Sequence, residues 1–238
     1  MEFYGDTDIG LERRNNEDAW AVDEALSTAV VADGMGGAAC GEIASAVTIE
    51  SFLDYLRHPA EELPPEALAR EAVREANRRV IERAQGETNC EGMGSTIVAA
   101  VWQPPRVTIV NVGDSRAYLF RSDILTQLSY DQTLANELRH ALRLSEDEIS
   151  AYTGRNVLTM AIGARQDLLI QTHEAMLEPG DRLLLCSDGL YGMAPDAAIA
   201  AMLSAGWPLR DTVERLIGLA KAGGGEDNIT VVLLAWNP

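Results

Sequence analysis

Short apolar runs rich in β-branched residues are distributed along the chain between longer segments of helical periodicity. The runs predict strands at residues 19–22, 27–32, 95–102, 107–112, 117–120, 168–177, 182–186 and 229–236. Apolar residues that recur every three to four positions predict helices over residues 41–57, 65–84, 195–204 and 208–222. The turn residues QPP at 103–105 and GDS at 113–115 lie between consecutive strands and predict two hairpins.

The order of these elements favours an α+β fold. Strands come first, two helices follow, strands return, and the chain closes with helix, helix and strand, which is not the regular alternation of a doubly wound sheet. We therefore expect two packed, mostly antiparallel sheets with helices outside. No linker or internal repeat interrupts residues 1–238, so one domain is expected. The polar, partly periodic segment 131–156 is either a surface helix or a flap beside a site, and we favour the flap.

Composition excludes several classes of function. The 19 Lys and Arg residues against 37 Asp and Glu give a formal net charge of −18, so no nucleic-acid or membrane-surface partner is expected. The three cysteines, Cys40, Cys90 and Cys186, are odd in number and lack close spacing, so we predict neither a disulfide framework nor a zinc site. The start MEFYGDTDIG lacks the basic and apolar parts of a signal peptide, so we expect a cytoplasmic protein, and nothing suggests an obligate oligomer.

The run VVADGMGGAACGE at 30–42 places an aspartate and several glycines between a strand and a helix. Such a turn could hold a nucleotide phosphate or a metal ion. A P-loop needs a lysine that reaches the phosphates, but Lys221 is the only lysine and alanine follows it. The glycines do not form G-x-G-x-x-G, and Asp33 would repel a pyrophosphate. Asp33 is therefore a candidate metal ligand.

Other acidic residues stand at the ends of predicted strands. Glu17 and Asp18 precede residues 19–22, Asp114 follows 107–112, Asp188 follows 182–186, and Asp227 precedes 229–236. Each turn by itself is more often structural than functional. Taken together with Asp33, they indicate one shared carboxylate pocket. Carboxylates are hard oxygen donors suited to Mg²⁺ or Mn²⁺.

Six segments in this order resemble the metal-dependent protein phosphatase (PPM, type 2C) family, and its compact bacterial members above all: GDTDIGLERRNNEDAW, VVADGMGG, MGSTIVAAV, NVGDSRAYLFR, LLLCSDGL and GGGEDNITVV. The resemblance covers about residues 3 to 236. It implies a four-layer α-β-β-α sandwich. It also implies a serine/threonine phosphatase that acts on phosphoproteins, opposes a bacterial serine/threonine kinase, and uses two or three Mn²⁺ or Mg²⁺ ions with a metal-bridging hydroxide as nucleophile.

The resemblance also implies residue roles. Asp33 would bridge two ions, and the backbone carbonyl of Gly34 would bind the second. Asp188 and Asp227 would complete the first site, Glu17 and Asp18 would hold the second ion and its waters, and Asp114 would share a weaker third ion with Asp188. Arg13 would grip the substrate phosphate and is, with Asp18, a candidate catalytic residue, because a guanidinium binds two phosphate oxygens at once. Arg14 and Arg116 are interpreted as structural ion-pair partners.

Two other classes of protein share some of these sequence features. The segments DTD at 6–8 and GGGEDN at 223–228 faintly suggest a haloacid-dehalogenase-type phosphatase, but Gly10 and the position of Lys221 do not fit that class. A pseudophosphatase that binds phosphoproteins or a kinase without turnover would usually lose a core acid, whereas Asp33, Asp188 and Asp227 are present. Met35 stands where eukaryotic relatives often carry histidine, so a metal-bound water is our candidate for the acid that protonates the leaving group.

Overall fold

Two antiparallel sheets form the centre of the computed structural model, which describes residues 1–36, 40–86, 89–143, 148–149, 152, 154 and 157–237. The first, the β11 sheet, has the order β1 (Glu2–Asp8), β11 (Ile229–Ala235), β10 (Arg182–Cys186), β7 (Arg116–Arg121) and β8 (Ile124–Gln127). The second, the β3 sheet, has the order β2 (Asp18–Asp23), β3 (Thr28–Met35), β5 (Ile97–Gln103), β6 (Arg106–Val112) and β9 (Gln171–Met176). The short β4 (Gly94–Ser95) pairs with the end of β3.

Helices cover the outer faces of both sheets. The helices in the described part of the chain are α1 (Cys40–Arg57), α2 (Pro65–Gly86), α3 (Leu134–Leu142), α4 (Asp188–Tyr191), α5 (Asp196–Ser204) and α6 (Leu209–Ala222), of which α3 buries no residue. Apolar residues of α1 and α2, such as Phe52 and Val73, pack on the β3 sheet. Those of α5 and α6, such as Leu203 and Leu216, pack on the β11 sheet. None of these helices combines the length and apolarity that crossing a bilayer requires.

The inner faces of the two sheets form the central core. Val31 and Val98 of the β3 sheet and Leu185 and Val232 of the β11 sheet belong to one buried cluster. Burying apolar side chains between sheets is the main stabilising contribution in such a sandwich. The layer order is therefore helix, sheet, sheet, helix, which confirms the predicted fold class.

The four predicted helices and most of the predicted strands begin and end within two residues of the bounds in the structure. The QPP hairpin is confirmed, since Gln103 pairs with Arg106 across it. The GDS hairpin is wrong, because β6 and β7 lie in different sheets and residues 113–115 carry the chain from one to the other. Three strands, β1, β4 and β8, were not predicted.

The cysteine prediction also needs correction. Cys40 at the start of α1 forms a disulfide with Cys90, and their Cα atoms are 5.5 Å apart. Cys186 is a free, buried thiol.

The predicted flap over 131–156 is described only in part. The structure describes α3, whereas residues 144–147, 150–151, 153 and 155–156 lie outside the described residues. The flap therefore stays a prediction.

Candidate active site

A cleft of about 510 Å³ opens at the end of the sandwich where strands of both sheets begin or end. It brings together most of the predicted site residues: Arg13, Glu17, Asp33, Gly34, Asp114, Asp188 and Asp227. Asp18 does not line the open cleft, but it pairs with Asp33 across β2 and β3 and is buried behind it. The acids come from both sheets, so the packing of the two sheets creates the site.

The backbone around Asp33 is fixed on both sides. Its N–H donates to Thr96 Oγ1 at 2.9 Å, and its carbonyl accepts from Thr96 N at 2.8 Å. The next residue, Gly34, donates its N–H to the Glu17 carbonyl at 3.1 Å. A Cβ atom at residue 34 would collide with the carbonyl oxygen of Gly41 and would lie 2.6 Å from that of Glu17. Only glycine allows this close approach of three backbone segments.

Asp18 is held by two hydroxyl groups. Its Oδ2 accepts from Ser187 Oγ at 2.7 Å and from Thr230 Oγ1 at 2.6 Å. Its other oxygen, Oδ1, is buried and has no hydrogen-bond partner among the described residues, and the same holds for Asp188 Oδ1. Buried polar atoms without a partner are uncommon because each costs free energy. These two oxygens can be satisfied by a bound cation or its waters.

Burial and mutual repulsion raise the pKa values of the clustered carboxyl groups. Burial, with the charge of Asp188 added, raises the pKa of Asp18 to about 7 and that of Asp114 to about 7. Burial and the charge of Asp227 raise the pKa of Asp188 to about 6. Burial and four neighbouring aspartates raise the pKa of Asp33 well above its ordinary value. Such crowding of like charge is unfavourable by itself.

The donor set fits a hard divalent cation such as Mn²⁺ or Mg²⁺, which would satisfy the orphaned oxygens and offset the repulsion. Among the described residues, no three His, Cys, Asp or Glu side chains already stand in a geometry that would hold a metal ion. The case for a cation therefore rests on the two buried oxygens that lack partners and on the crowding of like charge around Asp33.

Arg13 lies at the mouth of the same cleft. Its Nη2 is 2.5 Å from Asp227 Oδ2, and its side chain is 49% exposed. Burial lowers the pKa of Arg13, but the charges of Asp227, Glu17 and Asp33 outweigh that effect and raise it. A half-exposed guanidinium beside a cation-binding pocket is suited to hold two oxygens of a phosphate group.

Known proteins resemble this chain in both sequence and fold. The family model described as "Protein phosphatase 2C" matches residues 12–223. The chain belongs to the protein phosphatase 2C family. A serine/threonine phosphatase named stp from Listeria innocua is 35% identical over 237 residues, which cover 97% of this chain and 94% of the relative. The Mycobacterium tuberculosis serine/threonine protein phosphatase PstP is also 35% identical, but this chain covers 44% of its length.

Solved structures agree with the sequence comparison. The M. tuberculosis serine/threonine phosphatase PstP/Ppp matches with a TM-score of 0.90 at 33% identity, over 100% of this chain and 99% of that one. The catalytic domain of PstP in complex with two manganese ions matches with a TM-score of 0.84 at 35% identity, over 98% and 96% of the two chains. Stp1 from Staphylococcus aureus matches with a TM-score of 0.90 at 30% identity, over 100% and 95%.

Sequence reasoning did not assign a role to Asn228, which organises the site of this protein phosphatase 2C member. Its Oδ1 accepts from Glu17 N at 2.8 Å, and its Nδ2 donates to the carbonyls of Ile9 and Asn15, each at 3.0 Å. This buried amide therefore ties the segment that carries Arg13 and Glu17 to the start of β11. The only signal in the sequence was an asparagine beside Asp227, directly before a strand.

The hydroxyl residues that support the acids were missed as well. Ser187 and Thr230 bind Asp18, as described above, and Thr96 Oγ1 lies 2.6 Å from Ser115 Oγ beneath Asp33. In the sequence, these residues look like ordinary serines and threonines of strands and turns. Their positions directly beside the aspartates were the only available signal.

Arg116 and Arg14 differ in their environments. Arg116 forms an ion pair with Asp131 at 2.6 Å and stacks over the ring of Tyr191 at 3.5 Å. Tyr191 in turn donates its hydroxyl to the Asp114 carbonyl at 3.0 Å. The predicted structural role of Arg116 is confirmed. Arg14 is exposed and makes no ion pair within the described ranges, so that prediction is wrong.

The segment DTD, which the dehalogenase interpretation requires as its nucleophile, lies outside the cleft. Asp6 and Asp8 do not line it, and Asp8 is paired with Lys221 at 2.8 Å. Met35, by contrast, lines the cleft beside Gly34. A thioether cannot donate a proton, so Met35 contributes shape and apolar surface only.

Proposed function

We propose that this member of the protein phosphatase 2C family is a metal-dependent phosphatase that removes phosphate from phosphoserine and phosphothreonine in proteins. The observation that carries the proposal is the cluster of carboxylates with two orphaned buried oxygens, opposite a half-exposed arginine in one cleft. The names of the relatives and the two manganese ions in the PstP catalytic domain support it.

The proposal assigns the predicted roles to the residues of the cleft. Asp33, Asp188 and Asp227 with the Gly34 carbonyl would hold two divalent ions, together with Glu17 and Asp18. Asp114, with Asp188, would hold a further ion. When bound, such ions lower the pKa of water towards neutrality and offset the negative charge of a phosphate.

The protein side chains bind and orient the substrate. Arg13 would exchange part of its contact with Asp227 for two phosphate oxygens, which would fix the phosphorus in the cleft. No cysteine is available as a nucleophile, since Cys40 and Cys90 are joined and burial raises the pKa of the enclosed Cys186 thiol. We propose water as the nucleophile that attacks phosphorus, because divalent ions held by these acids would lower its pKa. Because Met35 cannot donate a proton, the leaving alkoxide would take its proton from water in the cleft.

Release of phosphate from a phosphothreonine peptide tests this function. The protein is first stripped of metal with a chelator, and Mn²⁺ is then titrated back. We expect activity to appear with Mn²⁺, and Asp188→Asn to lower kcat/KM at least about 100-fold, equivalent to about 2.7 kcal/mol. Glu24→Gln removes an exposed charge outside the cleft and is the control. Metal binding without phosphate release by the unaltered protein would instead favour a pseudophosphatase.

The proposal extends to the organisation and setting of the enzyme. We propose one catalytic domain over residues 1–238 with a flap at 131–156, acting as a cytoplasmic monomer that opposes a serine/threonine kinase. Size-exclusion chromatography with light scattering tests the monomer, because a dimer would double the 25.8 kDa mass.

A further inference from the structure

A second arginine lines the cleft, on the wall formed by residues 157–161, 164 and 165. Arg165 is exposed, and its Nη2 donates to the Thr159 carbonyl at 2.9 Å. Among the residues that the structure describes, no carboxylate forms an ion pair with it, whereas Arg13 is already paired with Asp227. Arg165 is thus a cation at the mouth of a phosphate-binding cleft, with donors left over for a ligand.

The backbone that carries Arg165 is held firmly by α2. Asn77, which is 3% exposed, accepts from Gly163 N at 2.7 Å and donates to the carbonyls of Arg165 at 2.9 Å and Gln166 at 3.3 Å. Gly163 has a φ of +86° and packs against Val80, so a side chain there would clash. A recognition residue on a fixed backbone loses little entropy when it binds.

The cleft continues past Arg165 into a second depression. Ala164 lines both the cleft and a neighbouring space of about 480 Å³ between the end of α2 and the loop at Gly92. A peptide with its phosphorylated residue in the cleft could therefore leave it along this side. A compact space of 510 Å³ is roughly 8 Å across, which corresponds to about two or three residues of extended chain.

On the basis of the proposed function, we propose that Arg165 is a specificity residue that binds an Asp or Glu side chain within about two residues of the phosphorylated residue. The formal charge of the whole chain is −18, so acidic substrates are repelled in general. Arg165 supplies a local attraction that selects among them, and its planar guanidinium suits a carboxylate. The ion pair between Arg165 and the substrate carboxylate would be exposed. Its contribution to binding is therefore small and is weakened by salt, but it is enough to favour one peptide over another.

Three phosphothreonine peptides that differ only in the two residues on each side of phosphothreonine test this inference. The flanks are Glu, Gln or Lys, and kcat/KM is measured with Mn²⁺ at low and high salt. We expect the unaltered enzyme to prefer Glu over Gln about 3- to 5-fold at low salt, as an exposed ion pair allows. The preference should disappear in Arg165→Ala and turn towards Lys in Arg165→Glu. Arg106→Ala, which removes an exposed arginine that lies outside the cleft, should keep the preference of the unaltered enzyme.

The outcomes separate this inference from the proposed function. An enzyme that hydrolyses all three peptides equally, or an Arg165→Ala variant that keeps the Glu preference, overturns the role of Arg165 and leaves the phosphatase intact. If no peptide releases phosphate, the proposed function fails. The same peptides are then compared by fluorescence anisotropy, and equal Kd values for the three peptides would overturn the role of Arg165 as well.

Discussion

Replacing Asp18 with asparagine measures how much an ionised carboxylate destabilises the fold when the site holds no cation. The amide oxygen of asparagine can keep both hydrogen bonds that Asp18 Oδ2 accepts, from Ser187 Oγ at 2.7 Å and Thr230 Oγ1 at 2.6 Å. The orphaned Oδ1 becomes an amide nitrogen near Asp188 and Asp227, whose charges oppose the ionised form of Asp18. The change therefore removes the charge at nearly constant shape.

The expected magnitude follows from the pKa of this carboxyl group. Burial first, and then the charges of Asp188 and Asp227, raise the pKa of Asp18 from 3.8 to about 7 in the folded protein. A carboxyl group whose pKa is raised by folding destabilises the fold as pH rises from the unfolded to the folded pKa. At about 1.36 kcal/mol per unit of pKa, ionised Asp18 destabilises the fold by about 4 kcal/mol above pH 7 and by only about 2 kcal/mol at pH 5. Asparagine does not ionise and avoids both costs.

Unfolding experiments in EDTA at pH 5 and pH 8 measure this difference. We expect Asp18→Asn to be more stable than the unaltered protein, with an advantage that grows by roughly 2–3 kcal/mol from pH 5 to pH 8. In thermal unfolding this growth corresponds to about 5–10 °C in Tm for a chain of this size. Glu24→Gln, which removes an exposed charge, should show the same small difference at both pH values. An Asp18→Asn variant with a constant advantage, or one less stable at pH 8, would refute the reasoning.

Three further changes test other parts of the site. Gly34→Ala forces a Cβ against the Gly41 carbonyl; we expect a loss of more than about 3 kcal/mol in the free energy of unfolding, and a urea midpoint equal to that of the unaltered protein would contradict it. Asn228→Ala removes three hydrogen bonds, one of them from Glu17 N. We expect the free energy of unfolding to fall by about 3 kcal/mol and phosphatase activity to be lost. Full activity in a folded variant would contradict this role. Mn²⁺ should raise Tm more at pH 8 than at pH 5, because protons compete for the carboxylates; an equal rise at both would contradict it.

The outer layers of the fold were predictable because their signals are local. The helical periods over 41–57 and 65–84 correspond to α1 and α2 almost residue for residue. β1 was missed because an edge strand with the sequence EFYGDTD carries little apolar pattern and pairs only with β11. The GDS turn was misassigned for a related reason. A turn sequence shows that the chain changes direction, but it does not show which sheet the next strand joins.

The candidate site was predictable in its acids but not in their supports. Each aspartate adjoins a strand, so a local sequence pattern identified it as a candidate. The resemblance to the family then suggested a role for each one. Asn228 acts on Glu17, 211 positions away in the sequence, and the Cys40–Cys90 disulfide joins residues 50 positions apart. The local sequence holds no information about such distant partners. The cleft wall that carries Arg165 likewise depends on Asn77, in a helix from another part of the chain.

Because both sheets contribute acids to the cleft, the order in which the chain is synthesised determines when the site can exist. Asp227 follows Glu17 by 210 positions, which takes roughly 10–40 s at about 5–20 residues per second. Until then, β11 and Asn228 are absent, and the segment that carries Arg13 lacks the amide that holds it in place. A chain still being translated can bury α1 and α2 against the β3 sheet, but it cannot yet assemble a complete cleft. Phosphatase activity should therefore begin only once synthesis has passed the end of β11 at Ala235, and no nascent chain that lacks β11 should hydrolyse phosphoproteins.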